Sequence, residues 1–517
     1  MLNLLTSSQI RDADAHTIAT KPLSSFDLME SAARAFVTEF KKEFPDKNIP
    51  LTIFCGTGNN GGDGLAIARL LKQEDCTHIY VKIVRFSSKS TKNFDANLTS
   101  LKNTDIPVAE LLREEDLSSE HPGLIIDALL GSGINKPVEG FLKSIIEHIN
   151  NSEKKVISVD IPSGFFSDGI IDNQDVVIRA NLTISFQRPK INFFFPESAA
   201  ALKRFKVVPI GLDEDYIESV PVQWKLIGEA DIRDILKARK PFSHKGSYGH
   251  ALIISGNRET MGAALLCADA CLHSGAGLTT ACIPESGLTA LNTRSPEVMA
   301  LIRDEGLVKE KLENYASIAF GPGTGTDPDS VNLFKDILSR QKVPMVVDAD
   351  GLSILSENTE LFSALGATSV LTPHMKEFDR MFGEHQSWWE RVETARKKAR
   401  ELGIIILLKN QYSFVVLPDG DVLINPTGNP AMATGGMGDV LTGMIAGFLA
   451  QGYSAKEATM LGCYLHGEAG DELKEEGMNN IPPRYLIERL PYLIDTYLNG
   501  KSPSRTLHKS YPGKAKL

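Results

Sequence analysis

The sequence predicts two successive α/β halves, each built around a parallel sheet, and three observations lead there. Short unbroken apolar runs recur, such as Leu51-Thr52-Ile53-Phe54-Cys55 and Ile404-Ile405-Ile406-Leu407-Leu408, and unbroken apolarity marks strands covered on both faces. Helical periodicity fills most of the intervals between the runs. Glycine-bearing turns follow them, where a strand hands over to a helix. The pattern breaks at Asp213-Glu214-Asp215 and Pro221, then resumes with different glycine motifs, so a boundary is expected near 213–225.

The first half opens with helical spacing from Met29 to Phe40, then a strand at 51–55 and a helix over 65–71. Further strands are expected at 79–86, 124–128, 156–160 and 182–186, with the half complete near Val208-Pro209-Ile210. The second half offers strands at 251–255, 278–283, 318–321, 345–348, 369–372 and 404–409. A hairpin of 412–417 and 421–425 turns at Pro418-Asp419-Gly420. Long helices are predicted at 261–275, 387–402, 439–450 and 455–475. The tail, 501–517, is polar and basic without periodicity, which predicts a mobile end.

Composition narrows the classes. A chain of 517 residues suggests two to four domains, at about 150 residues each. With 42% hydrophobic and 23% charged residues it reads as an ordinary soluble protein. Lys+Arg 55 against Asp+Glu 65 leaves a net charge of −10, which argues against a nucleic-acid surface. An anionic ligand must therefore be held by local amides and lysines. The six cysteines form no CxxC pair and suit a reduced compartment; Cys267 and Cys271 read as buried small residues rather than metal ligands. No run approaches a membrane span, and the first residues lack a basic leader, so a cytoplasmic protein without membrane partners is expected. A homo-oligomer is expected too, with helix 455–475 offering an apolar face.

The most informative stretch is Thr434-Gly435-Gly436-Met437-Gly438-Asp439-Val440-Leu441-Thr442-Gly443, just ahead of an apolar helix. Glycines let amides turn toward a ligand, and the helix start presents its positive dipole end to an anion. An aspartate there can take a proton from an attacking hydroxyl while the amides hold a moving phosphoryl group. The plainer reading is a turn capped by an aspartate. In the first half, Gly56-Thr57-Gly58-Asn59-Asn60-Gly61-Gly62-Asp63-Gly64 follows the first strand with G-x-G-x-x-G spacing. The acidic companion of that fingerprint is missing, since the second strand ends in Arg85-Phe86-Ser87-Ser88-Lys89. Those basic and hydroxyl groups would tolerate a ribose phosphate, or simply form a solvated strand end. Asp127, leading into Gly131-Ser132-Gly133-Ile134-Asn135-Lys136-Pro137, and Asp160, leading into Ile161-Pro162-Ser163-Gly164, close two more strands. Ligands collect beyond such carboxyl ends in open parallel sheets.

Those three segments resemble the epimerase domain of the bifunctional NAD(P)H-hydrate repair enzymes, over residues 1–215. The resemblance implies interconversion of the R and S epimers of NADHX and NADPHX, the C6-hydrated nicotinamide cofactors. It implies that Asn59, Asn60, Gly61, Gly62, Asp63, the 131–137 segment and Asp160 hold the hydrate, with Asp160 at the reacting ring. It also implies potassium on Asn60, Asp127 and Ser163, oxygen donors that suit a hard cation.

From about 225 to 500, His244-Lys245-Gly246-Ser247-Tyr248-Gly249-His250, Gly321-Pro322-Gly323-Thr324-Gly325, Leu371-Thr372-Pro373-His374, Leu407-Leu408-Lys409 and the Gly438-Asp439 stretch resemble the ADP/ATP-dependent NAD(P)H-hydrate dehydratases. After His374 this chain has Met375-Lys376-Glu377 where related sequences usually read proline-glycine-glutamate, a departure in loop shape. The resemblances imply an N-terminal Rossmann-like doubly wound parallel sheet plus a C-terminal ribokinase-like α/β domain. The implied reaction phosphorylates the C6 hydroxyl of the S epimer and expels phosphate, giving back NADH or NADPH. Asp439 is the implied base; Ala263, Gly323, His374 and Asp439 line the hydrate pocket; Lys409, Asn410, Gln411, Tyr412, Ser413 and Gly438 contact ADP or ATP, which brings magnesium.

Three other classes stay open at this level. A vitamin-precursor kinase would share the Gly-Asp chemistry, and its phosphorylated alcohol would accumulate. A silent first half, as in RNA-decapping scaffolds, sits poorly with Asn60, Asp127, Asp160 and Ser163 all present. A hydride-transferring dehydrogenase is weakened by the missing ribose carboxylate.

Overall fold

All five residues of Leu51–Cys55 are buried, and around this strand the first of two compact units, Asn3–Val222, is organised. The computed structural model describes residues 1–117, 122–134, 136–172, 176–303 and 310–500, so Asn135 and the tail 501–517 lie outside the described residues. The first unit's sheet runs Val108–Leu111, Ile79–Val84, Leu51–Cys55, Leu124–Ala128, Val156–Val159, Leu182–Phe186, Phe205–Val208, and every neighbouring pair is parallel. The chain moves outward from Leu51–Cys55 to one edge, then returns to build the other side. That reversal opens a crevice between the carboxyl ends of Leu51–Cys55 and Leu124–Ala128, which the register Cys55↔Ala128 holds level.

The helix predicted at 65–71 runs Asn59–Gln73, so the glycines read as a loop are its first turns. A Cβ on Gly61 would stand 1.8 Å from the Gly56 carbonyl oxygen, and only glycine lets helix and turn meet this closely. The strand predicted at 79–86 ends at Val84, which frees Arg85 and Phe86 to form the rim.

The second unit holds Gln223–Gln386 and 390–500. From Met299–Ile302 its sheet continues through Leu278–Ile283, His250–Ile254, Ser317–Phe320, Met345–Val347 and Val370–Leu371 to Ile405–Leu408, all parallel. The hairpin Ser413–Val416 and Val422–Asn425 is antiparallel, and Trp224–Leu226 pairs parallel beyond it. Here the order reverses between His250–Ile254 and Ser317–Phe320, a second crevice of the same kind.

Met437–Ala450 is apolar on nearly every side and buried almost throughout, as a helix enclosed by other elements must be. It lies against Met261–His273 at glycine separation: a Cβ on Gly443 would stand 2.1 Å from the Cys267 carbonyl oxygen. The helix Ala455–Glu475 has the predicted bounds, but Ala458, Met460, Leu461, Cys463 and Leu465 are buried in the core. The expected exposed apolar face is therefore not there, because the core uses it. Among the described residues no helix is long and apolar enough to cross a membrane.

Candidate active sites

At the first crevice, Gly58 precedes the helix without any side-chain cap, so the first-turn amides around Asn59–Gly61 remain available to a ligand. Asn60 is buried and its Nδ2 donates to the Val159 carbonyl at 2.9 Å. Its Oδ1 is buried with no hydrogen-bond partner, an oxygen that awaits a donor or a cation. Nearby, Asp127 accepts from Ser158 Oγ at 2.8 Å, Ser163 Oγ at 2.6 Å, the Ser163 amide at 2.9 Å and the Leu129 amide at 3.3 Å. Burial pushes its carboxyl upward, and these donors pull it part of the way back. Gly131 stands over Asn60: a Cβ there would lie 3.3 Å from the Asn60 Cβ. Three buried oxygen-bearing side chains, one of them unsatisfied, are a donor set that fits a hard monovalent cation.

Asp160 has φ +66°, a conformation non-glycine residues rarely adopt. The twist turns its carboxylate back onto the next strand end, where Oδ1 takes the Phe186 amide at 2.9 Å, Ser185 Oγ at 3.3 Å and Lys190 Nζ at 2.6 Å. Lys190 is 1% exposed, so the lysine side of this ion pair is dry while Asp160 keeps an edge toward the crevice. Two more carboxyls share the neighbourhood. Burial, then the charges of Asp160 and Asp14, push Asp63 well above the usual range. Burial and Asp160 raise Asp14 to about 6, against the pull of Lys190. Sequence reasoning missed Lys190, although a lysine four residues past a strand was there to be seen. Asp14 comes from the distant helix Ser7–Thr20 and carried no signal.

At the second crevice, Gly436 adopts the left-handed conformation at φ 94° and delivers the chain into Met437–Ala450. Asp439 thus falls in the first turn. Burial, then the charge of Asp348, raise its carboxyl to about 6, while Lys409 pulls it down. Lys409 leaves the strand Ile405–Leu408 and places Nζ 2.6 Å from Asp348 Oδ1; Thr442 Oγ1 donates to Asp348 Oδ2 at 2.8 Å. A Cβ on Gly438 would lie 3.4 Å from Asp348 Oδ2 and 3.5 Å from Lys409 Nζ, so the glycine keeps this corner open. His374 bridges to Lys409 across the strand ends and caps Met375–Phe382, accepting from the Glu377 amide at 3.2 Å. Gly323 and Ala263 adjoin each other: Thr260 Oγ1 donates to the Gly323 carbonyl at 2.6 Å, and a Cβ on Gly323 would be 3.0 Å from that of Ala263. The Gly321–Gly325 loop is tied to Asp350, whose charge also reaches Asp439.

Asn410–Tyr412 form the turn into the hairpin, with the Gln411 carbonyl 3.5 Å from where Gly428 would carry a Cβ. They lie toward Gly428, one side of the Lys409–Asp439 corner. Asp348, Thr442 and Glu377 were not singled out in the sequence, nor was His466. That histidine is half-buried, is pushed down to about 4 by desolvation, and donates from Nε2 to the Met437 carbonyl at 3.1 Å, tying itself to the first turn.

Fold and geometry define an α/β enzyme class with two separate strand-end sites, one rich in buried carboxyls and one built on a glycine-led helix start. The family model for NAD(P)H-hydrate dehydratase matches residues 251–492, and that for the YjeF-related protein N-terminus matches 25–192. The bifunctional NAD(P)H-hydrate repair enzyme of Moorella thermoacetica is 35% identical over 515 residues, 95% of this chain and 96% of its own. That of Dictyoglomus turgidum is 32% identical over 530 residues, 97% of this chain and all of its own. The chain belongs to the bifunctional NAD(P)H-hydrate repair enzymes. Among solved structures, an ADP/ATP-dependent NAD(P)H-hydrate dehydratase from Bacillus subtilis co-crystallised with ATP and Mg2+ is 30% identical, with a TM-score of 0.47 over 53% of this chain and 98% of that chain.

Proposed function

We propose that the chain repairs hydrated nicotinamide cofactors in two steps: residues 1–215 exchange the R and S epimers of NADHX and NADPHX, and residues 225–500 dehydrate the S epimer with ADP or ATP. The observation that carries the reading is Asp439, a carboxyl raised to about 6 in the first turn of a glycine-led helix beside Lys409. In its ionised form it takes the proton of the C6 hydroxyl as that oxygen attacks the terminal phosphoryl group. The first-turn amides and Lys409 hold the charge that moves with the phosphoryl group. The C6–O bond then breaks with its electron pair leaving on phosphate. A proton lost from the adjoining ring carbon restores the double bond. Hydroxide leaves badly and phosphate well, which is the purpose of the ester. Ala263, Gly323 and His374 would face the hydrate, and Lys409–Ser413 with Gly438 the nucleotide. Magnesium would come with the nucleotide and offset phosphate charge, held largely by phosphates and water.

In the epimerase half, the carboxylate of Asp160 would steady a positively charged ring, or pass a proton, while the C6 oxygen leaves and returns. Asn59–Asp63 and the 131–137 segment would hold the hydrate. Asn60, Asp127 and Ser163 would hold potassium, which supplies fixed positive charge beside the hydrate when bound. The unpartnered Asn60 Oδ1 supports this. Six free, buried cysteines support a cytoplasmic setting. A homo-oligomer belongs to the same reading, with exposed Tyr485 and Tyr492 on Pro483–Asn499 as its available surface.

The test is to incubate the protein with both NADHX epimers, potassium, magnesium and ADP or ATP, and to follow each epimer by chromatography. Complete conversion to NADH is expected. Build-up of a stable phosphorylated alcohol would replace this reading with a small-molecule kinase.

A further inference from the structure

Beyond the Asp160 end, the carboxyl edge of the first sheet carries a groove of about 730 Å³ between the ends of its outer strands and the segment after Leu124–Ala128. Such a volume suits a small-molecule site. Its walls include Phe86 and Leu112, which are 36% and 63% exposed, apolar surface that a strand end in water would not favour. Lys136 also lines it and has no ion-pair partner among the described residues. Arg85 is already committed to Glu110, at 2.9 Å and 3.2 Å.

The groove adjoins the crevice. Gly133 belongs to its lining, while Gly131, two residues earlier, stands over Asn60. Phe86 flanks the glycine turn: a Cβ on Gly56 would meet its ring carbon at 3.2 Å. Arg11, from the helix Ser7–Thr20, brings Nη1 to 4.0 Å from where Gly133 would carry a Cβ. The order along the edge is then a carboxylate-rich end at Asp160, an uncapped helix start with the unpartnered Asn60 Oδ1 in the middle, and an apolar groove with a lysine at the far end. A dinucleotide presents the same order: a reacting ring, a pyrophosphate and a flat base on its ribose.

We propose that this groove takes the adenosine half of the hydrate, with Phe86 and Leu112 against the base and Lys136 toward a ribose phosphate. The assignment rests on the epimerase reading, and it makes the groove the seat of affinity rather than of chemistry. Lys136 offers a positive charge to a 2′-phosphate without requiring one, and Glu139 is the one carboxylate among the lining residues, so both NADHX and NADPHX are admitted and NADPHX has the lower KM.

The test uses the full chain without ADP or ATP, so that only epimer exchange is read. Adenosine 2′,5′-bisphosphate is expected to inhibit exchange competitively. Leu112→Glu and Phe86→Glu are expected to raise the KM for NADPHX about tenfold, the scale of losing one stacked base, with kcat held within about twofold. Inhibition by the bisphosphate should weaken in parallel, and dehydration of S-NADPHX, in the other unit, should be unchanged and report intact folding. Variants that keep the parent KM and the parent inhibition overturn the proposal while leaving the epimerase reading intact. If the parent chain catalyses no exchange, that reading fails, and calorimetry with the bisphosphate still decides the groove. Binding weakened by Leu112→Glu supports it, and binding unaffected by the substitution overturns it.

Discussion

Asp439 is the single residue on which the dehydration chemistry proposed here turns. In the proposed mechanism its carboxyl, raised to about 6, is basic enough to accept a proton and largely ionised above that pH, the compromise a general base requires. Removing a positioned base costs about 10²–10⁴-fold, so Asp439→Asn is expected to lose at least about two orders of magnitude in dehydration rate while nucleotide binding is retained. A modest loss in stopped assays would reduce Asp439 to a helix-start carboxylate. The sign of the pH dependence follows from the same shift. A carboxyl raised to about 6 gains its proton as pH falls through that value, so dehydration kcat/KM should decline below about pH 6. Lys409 lowers the Asp439 carboxyl, so Lys409→Met should move that acid limb to higher pH. An unmoved limb would mean some other group sets it. For the first unit, Asp160→Asn is expected to leave hydrate binding near the parent value and abolish accelerated epimer exchange, read by following R to S conversion.

Elements show what the sequence could and could not reveal. The predominantly apolar strands Leu51–Cys55, Leu124–Ala128 and Leu182–Phe186 were legible to the residue, because burial on both faces leaves little room for the solvent-facing charged residues that alternate along a half-exposed strand. Val108–Leu111 was not, since an edge strand with three exposed residues carries no apolar run. The helix expected from 65 starts six residues earlier, at Asn59: Gly61 and Gly64 look like breakers, and only tertiary contact shows that they let the helix approach the Gly56 turn and the strands beneath it. The aspartates and glycines of both sites were visible as strand-end motifs. Asp348 and His466 were not, for their roles come from partners in distant segments, and Lys190 stood in view past a strand end without its partner Asp160 being legible. Gly443 tests the packing argument at this scale. With a Cβ only 2.1 Å from the Cys267 carbonyl, Gly443→Ala must push two buried helices apart. Overpacking of this kind costs about 1–3 kcal/mol, so the melting temperature should fall by several degrees in calorimetry. An unchanged transition would show that the helix pair tolerates separation.

For the whole molecule, the two activities are complementary in a way that needs no contact between sites. Hydration yields both epimers, the dehydratase half consumes S, and the epimerase half supplies S from R. The hydrate is a soluble dinucleotide that can leave one site and reach the other by diffusion. Each half should then work when its companion is disabled on the same chain. Asp439→Asn alone should exchange epimers without forming NADH, and Asp160→Asn alone should consume S and leave R, apart from slow uncatalysed exchange. An equimolar mixture of the two variants should convert both epimers completely, at about half the parent rate if each activity scales with the number of intact sites. Chromatography of the mixture decides the point. Complete conversion means that linkage in one chain secures equal amounts of the two activities rather than passage of the intermediate. If R persists in the mixture but not with the parent chain, the halves must hand the hydrate over within one molecule.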